Sequence, residues 1–256
     1  MKETAILAVK EASKIIMDNF QKKHDIKIKN YKEIVTEVDR MAEKKIISVI
    51  QKKFPDHQIL GEETGEHKTD SEYKWIIDPI DGTTNYSIGH PFFNTSIGLA
   101  KDNEIILGVV YAHVTDELFV AEKGKGAYMN GKKIFVSDRK DLDFSFITYC
   151  HGKTPEDVKT IISLINEIRP KSRDMVRMKS AALELAYLAS GRVETFVYNN
   201  VSSWDVAAGV LLVKEAGGKI TDFEGNDWNL TKNNLVATNG KIHEKILNLI
   251  SSAVKK

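Results

Sequence analysis

Residues 75–86, WIIDPIDGTTNY, narrow what this chain can be more than any other stretch: a strand-like apolar run ends in two carboxylates that straddle a proline, followed by Gly-Thr-Thr-Asn. Proline fixes its own φ and biases the preceding residue toward extended backbone, so the chain leaves the strand through a rigid bend with Asp78 and Asp81 near one point. Like charges that close raise each other's pKa unless a cation lies between them. A divalent metal is the economical cation, because carboxylate oxygens, backbone carbonyls and water are ligands that Mg²⁺ accepts. Gly82 lets the backbone approach a ligand, and Thr83, Thr84 and Asn85 could open a helical turn whose free N–H groups receive a phosphate. The plainer alternative is an Asx-type turn at Asp81-Gly82 in which the threonines only cap a short helix.

Other acids bear on that choice. LGEETGE puts Glu62 and Glu63 directly after a short apolar run and upstream of the aspartates, although a solvated loop would look the same. Asp205, in SSWDVAAGVLLVKEAGG, opens a stretch of small and apolar residues, where an acid also complements a helix dipole. Asp39, in YKEIVTEVDRMAEK, fits equally an ordinary polar position on an amphipathic helix.

At 256 residues the chain can bury a large core as one domain or two packed halves. Lys plus Arg number 37 against 36 Asp plus Glu, so no global field draws nucleic acid or an acidic membrane surface, and any anion site is local. Cys150 is the only cysteine, which excludes an internal disulfide and a CxxC site and suits a reduced, cytoplasmic setting. The N-terminus interrupts its apolar stretch with Lys10 and Glu11, and no run is long enough to cross a bilayer, so a soluble intracellular protein is expected.

Ala5, Ile6, Val9, Ala12, Ile16 and Phe20, then Val38, Met41, Ala42, Ile46, Val49 and Ile50, recur at helical spacing and predict two opening helices. Over residues 58–136 short apolar runs alternate with turn residues, Asn130-Gly131 among them, and predict a sheet. After a polar connection at residues 137–143 the pattern alternates: strand FSFITYC, a helix started by Thr154 and Pro155, helix SAALELAYLAS closed by Gly191, strand VETFVY, helix WDVAAGVLLVKEA closed by Gly217-Gly218, strands KITDF and NLVATN, and a final amphipathic helix. The connection suggests an α+β half, residues 1–138, carrying most candidate ligands, and an α/β half, residues 139–256, carrying Asp205 and the substrate side.

Together, VTEVD, GEE, DPIDGTTN and WDVAAG resemble, in order and spacing, the signatures of the inositol monophosphatase family, among the lithium-sensitive, Mg²⁺-dependent sugar phosphatases, over residues 32–218. The resemblance implies a layered αβαβα fold of mixed α+β and α/β character, with the site between the halves. It assigns Glu62, Asp78, the Ile80 carbonyl and the Thr83 hydroxyl to one Mg²⁺, and Asp78, Asp81 and Asp205 to a second, with Glu62 helping to hold a third. Glu63 would stand behind the ligands, and the Gly82 and Thr83 N–H groups would take the phosphate. Asp39 would accept from the Thr83 hydroxyl, so that this pair orients or deprotonates the attacking water. Phosphate monoesters hydrolyse extremely slowly unaided, and two metals about 3.5–4 Å apart stabilise both the attacking and the leaving oxygen.

The implied partner is a small phosphorylated sugar or cyclitol, myo-inositol-1-phosphate or fructose-1,6-bisphosphate, with no nucleic acid or membrane, on a homodimer or homotetramer. Its candidate contacts are Asp81, Gly82, Thr83, Thr84, Arg177, Lys179, Ala181 and Tyr198. Tyr198 stands where animal members carry a glutamate that contacts inositol hydroxyls, and it offers one hydroxyl instead of two acceptor oxygens. Lys179 stands where glycine is usual, after Lys171, Arg173 and Arg177, so a cation could reach a second phosphate; charge-rich segments are also commonly solvated loops. Cys150 reads as core, and His151, which with Gly152 and Lys153 lies near the implied sugar end, as structural or solvent-facing. Rival readings are a nucleotidase acting on 3′-phosphoadenosine 5′-phosphate, a haloacid dehalogenase type of phosphatase whose DxDGT spacing differs by one residue, and a non-catalytic metal-binding scaffold or regulator.

Overall fold

Buried Ala5, Ala8, Val9, Ala12 and Ile16 form one stripe of helix α1, Lys2–Asn19, as the apolar spacing predicts. Strands β1, Lys27–Asn30, and β2, Glu33–Val35, pair antiparallel and lead into α2, Glu37–Gln51. A capping box starts α2: Val38 N donates to Thr36 Oγ1 at 3.2 Å, and Thr36 N donates to the Asp39 carboxylate at 2.9 Å. That box fixes how Asp39 is presented. The computed structural model describes residues 1–22, 27–30 and 33–254; Lys32, where the matched stretch begins, lies outside them.

The next strands are β3 (Gln58–Gly61), β4 (Gly65–His67), β5 (Tyr73–Asp81), β6 (Asn94–Lys101), β7 (Glu104–Ala112), β8 (Glu117–Glu122), β9 (Gly126–Met129) and β10 (Lys132–Ile134), with the short helix α3 (Thr83–Ser87) between β5 and β6. They form an 8-stranded sheet in the order β10-β9-β8-β7-β6-β5-β3-β4, antiparallel except for β3 against β5. Asn130 and Gly131, both at positive φ, close the β9–β10 hairpin. Then come β11 (Phe146–His151), α4 (Pro155–Ile168), β12 (Asp174–Val176), α5 (Ala181–Ala189), β13 (Thr195–Asn199), α6 (Ser203–Glu215), β14 (Lys219–Thr221), β15 (Asn234–Thr238) and α7 (His243–Val254). These strands make a 5-stranded sheet, β12-β11-β13-β15-β14. Thr154 caps α4 with Pro155 in its first turn, the start that the sequence predicts.

Helices α1 and α2 cover one face of the large sheet, α5 and α6 fill the space between the sheets, and α4 and α7 cover the far face of the small one. This is the αβαβα layering expected. Trp75, Ile77, Ile97, Leu99 and Val109 pack toward α1 and α2, whereas Ile76 and Ala100 turn the other way and meet Ala207 of α6. Because both faces are buried, the strands read as continuous apolar runs instead of alternating ones. The β1–β2 pair, β4 and the edge strand β12 escape sequence reading because elements of three or four residues carry too little periodicity; β3 and β14, equally short, are marked by apolar runs between turn residues.

Glycine sets how closely α6 lies on the sheet. Gly98 and Gly108 sit directly opposite each other on β6 and β7. A Cβ at Gly108 would fall 2.5 Å from the Ala208 carbonyl oxygen, and one at Gly98 would fall 2.9 Å from the Ala207 Cβ. Backbone therefore meets helix with no side chain between, which fixes where the first turn of α6, with Asp205, emerges. Gly108→Ala is expected to lower stability by about 1–3 kcal/mol, a drop of several degrees in thermal midpoint, and to reduce turnover by displacing α6. A variant that melts and turns over like the native protein would show that α6 has room to spare.

Candidate active site

The C-terminal end of β5 delivers Asp78 and Asp81 to a cavity of about 480 Å³ between the layers. Ile80, Gly82, Thr83 and Thr84 line it from the β5–α3 bend, and Glu62 lines it from the loop after β3. The small-sheet side contributes Ala181 at the start of α5, Tyr198 at the end of β13, Asp205 in the first turn of α6, and Arg177 and Lys179 from the loop after β12. Among the expected site residues, Asp39 and Glu63 lie outside this lining. Asp39 is buried behind Thr83, whose hydroxyl is 3.1 Å from Asp39 Oδ1 and 3.0 Å from the Ile80 carbonyl. The Glu63 side chain turns to Arg40 at 3.9 Å.

Each acid is held in its own way. Asp81 receives Asn94 Nδ2 at 2.7 Å, Ser180 Oγ at 3.0 Å, and the N–H groups of Ala181 and Ala182 at 3.0 and 2.8 Å. A carboxylate thus caps the start of α5 and ties the two sheets together. The Tyr198 hydroxyl, read from sequence as a substrate contact, donates to Asp205 Oδ2 at 2.8 Å. Glu62 N donates to the Ile77 carbonyl, and the loop beyond it is held by Glu43, whose carboxylate accepts from Glu63 N at 3.0 Å and Thr64 N at 2.7 Å. Asp78 Oδ1 is buried with no hydrogen-bond partner.

Sequence reading missed Glu43, Asn94 and the bond from Ser180 to Asp81. Glu43 stands four residues after Asp39 on the same buried face of α2, and that i, i+4 pair of acids was the available signal. A Cβ on Gly61 would fall 2.7 Å from the Glu43 carboxyl carbon, so glycine there makes room for it. Asn94 and Ser180 gave no local sign, since their partner Asp81 lies far from Ser180 in the chain and across a sheet register from Asn94.

Charge is the dominant feature of the wall. Burial, followed by the charges of Glu62, Asp81 and Asp205, pushes Asp78 well above the usual carboxylate range. Burial, then Glu62 and Asp81, raises Asp205 to about 7. Asp81 is raised to about 6 by burial, although its donors pull it back, and burial also lifts Asp39 to about 6. Among the described residues no three acids are yet grouped closely enough to cage a metal alone. The donor set nevertheless fits a hard divalent cation: carboxylates that repel one another, the orphaned Asp78 oxygen, the Ile80 carbonyl and the Thr83 hydroxyl.

The profile of the inositol monophosphatase family matches residues 1–255. The chain belongs to the inositol monophosphatase family. It is 39% identical over 240 residues to the fructose-1,6-bisphosphatase/inositol-1-monophosphatase of Thermotoga maritima, covering 94% of this chain and 89% of that protein. It is 38% identical over 254 residues to Nus factor SuhB of Pasteurella multocida, covering 98% and 95%. The solved structure of Thermotoga maritima IMPase matches with a TM-score of 0.92 at 35% identity, over 99% of this chain and 97% of that one. Membership bears out the family resemblance and the phosphoric monoester hydrolase expectation. The family is generally metal-dependent, in keeping with the acid wall.

An acid whose folded pKa is raised stabilises the fold only while protonated; that contribution fades as pH rises through the folded value, and at pH 8 an ionised Asp205 is a penalty. In chelated protein at pH 8, Asp205→Asn is therefore expected to melt several degrees above the native chain, whereas added Mg²⁺ should raise the native midpoint more than the variant's. A chelated Asp205→Asn that melts lower would mean that repulsion does not dominate this wall.

Proposed function

We propose that the chain is a Mg²⁺-dependent phosphomonoesterase acting on a small phosphorylated sugar or cyclitol, myo-inositol-1-phosphate, fructose-1,6-bisphosphate or both. The observation that carries this reading is the Asp39–Thr83 pair: Thr83 lines a cavity walled by Glu62, Asp78, Asp81 and Asp205, and Asp39 is buried behind it. Glu62, Asp78, the Ile80 carbonyl and Thr83 would hold one cation, and Asp78, Asp81 and Asp205 another. When bound, the cations supply positive charge against the phosphoryl oxygens and make water more acidic.

The chain's own groups do the rest. The capping box leaves Asp39 Oδ1 free to accept from the Thr83 hydroxyl, which turns the threonine's lone pairs toward the cavity to position water. Burial lifts Asp39 to about 6, close enough to neutrality for it to take a proton through Thr83. The first N–H groups of α3 have no acceptor within the helix, and Thr83 and Thr84 line the cavity, so these donors would receive phosphoryl oxygens. Gly82, at φ +97° with Phe92, Phe93 and Lys179 within 3.2 Å of a built Cβ, gives that loop its shape.

The test is phosphate release with Mg²⁺ from myo-inositol-1-phosphate, fructose-1,6-bisphosphate and 3′-phosphoadenosine 5′-phosphate under one set of conditions. Either of the first two should be preferred. Asp39→Asn and Thr83→Ala should each lower kcat by about 10²–10⁴ with little change in KM. Preference for the nucleotide would favour the nucleotidase alternative, and no release from any of them would favour a non-catalytic role.

A further inference from the structure

The turn at residues 178–180 reaches from the small sheet to the Gly82 loop and is tied down on both sides. Asn85 Nδ2 donates to the Met178 carbonyl at 2.7 Å, and the Ser180 hydroxyl is shared between the Asp81 carboxylate at 3.0 Å and the Asp81 carbonyl at 3.1 Å. Between these ties Lys179 is held at φ +62°, the left-handed region that suits glycine and strains a residue with a Cβ. The Lys179 carbonyl lies 3.2 Å from where a Cβ on Gly82 would stand, so the turn is also packed against the phosphate loop. Hydrogen bonds at both neighbours over-determine the turn, and that is how a strained φ persists; strain of this kind points to a use for the side chain.

The surroundings say what the use is. Lys179 and Arg177 line the same cavity as the acids, and neither makes an ion pair among the described residues. Burial, then repulsion from Arg177, lowers the Lys179 pKa, as for two cations that share a site without an anion between them. The backbone asks for glycine, yet the chain places a lysine there beside an unpaired arginine.

We propose that Lys179, supported by Arg177, is a specificity-determining residue that takes a second anionic group, a phosphate or carboxylate carried on the polyol of the phosphate ester bound at the acid wall. This rests on the phosphomonoesterase reading above. Arginine can grip such a group with two donors, and lysine follows it as a mobile point charge.

The test compares fructose-1-phosphate with fructose-1,6-bisphosphate, one sugar with and without a second phosphate, in the native chain, Lys179→Gly and Lys179→Gln. In both variants the ratio of kcat/KM for the bisphosphate over the monophosphate should fall at least tenfold, through KM. Lys179→Gly should melt at or above the native midpoint, because glycine relieves the φ strain, and Lys179→Gln should gain nothing. A ratio that changes less than threefold in both variants would overturn the assignment. If the native chain hydrolyses neither ester, the phosphatase reading fails instead. Calorimetric binding of the two esters then decides Lys179 by the same ratio of affinities.

Discussion

Four acids, Glu62, Asp78, Asp81 and Asp205, share one largely buried wall, and their mutual repulsion is the constraint around which the rest of the structure is arranged. Two like charges about 4 Å apart repel by about 4 kcal/mol at an effective dielectric constant near 20. The fold answers with donors where it has them: the N-terminus of α5 for Asp81, the Tyr198 hydroxyl for Asp205, and the capping box and Thr83 for Asp39. Asp78 Oδ1 is left with none. A wall built this way costs stability that a bound cation would restore, which is the usual trade of stability for function.

The same bonds hold the layers in register. Asp81 ends a strand of the large sheet, yet three of its partners, Ser180, Ala181 and Ala182, belong to the loop and helix that lie against the small sheet. Asp205 reaches the wall because Gly98 and Gly108 let α6 rest directly on β6 and β7. Glu43, two turns into α2, keeps the Glu62 loop in place. The site is therefore as sensitive to packing at some distance as to its own side chains.

Much of this was legible in the sequence. The long amphipathic helices, the Asn130-Gly131 hairpin and the Thr154-Pro155 helix start are local patterns, and local patterns survive folding. Asp78, Asp81, Glu62 and Asp205 could be picked out because GEE, DPIDGTTN and WDVAAG stand together in the order and spacing of the family's signatures; taken singly, the Glu62 loop reads equally as a solvated surface and Asp205 as a partner of a helix dipole. What was not legible depends on partners far away in the chain. Glu43 resembles a surface glutamate until Gly61 packs on it, Asn94 resembles a polar slip in an apolar strand until Asp81 is seen beside it, and Tyr198 points toward Asp205 for reasons no spacing records. The backbone of Lys179 is the clearest case: its strain comes from ties at Met178 and Ser180 to the other sheet, and sequence showed only its charge.

The most direct test of the acid wall is to count protons. Binding a cation to carboxylates whose pKa values are raised must displace the protons they hold. Mg²⁺ titrated calorimetrically into metal-free protein, in two buffers of different ionisation enthalpy, measures that number. With Asp205 at about 7 and Asp78 well above the carboxylate range, about one proton or more should leave per protein near pH 7, and fewer at pH 9. Mg²⁺ binding at pH 7 with no proton released would contradict a cation site built from these buried, mutually repelling acids.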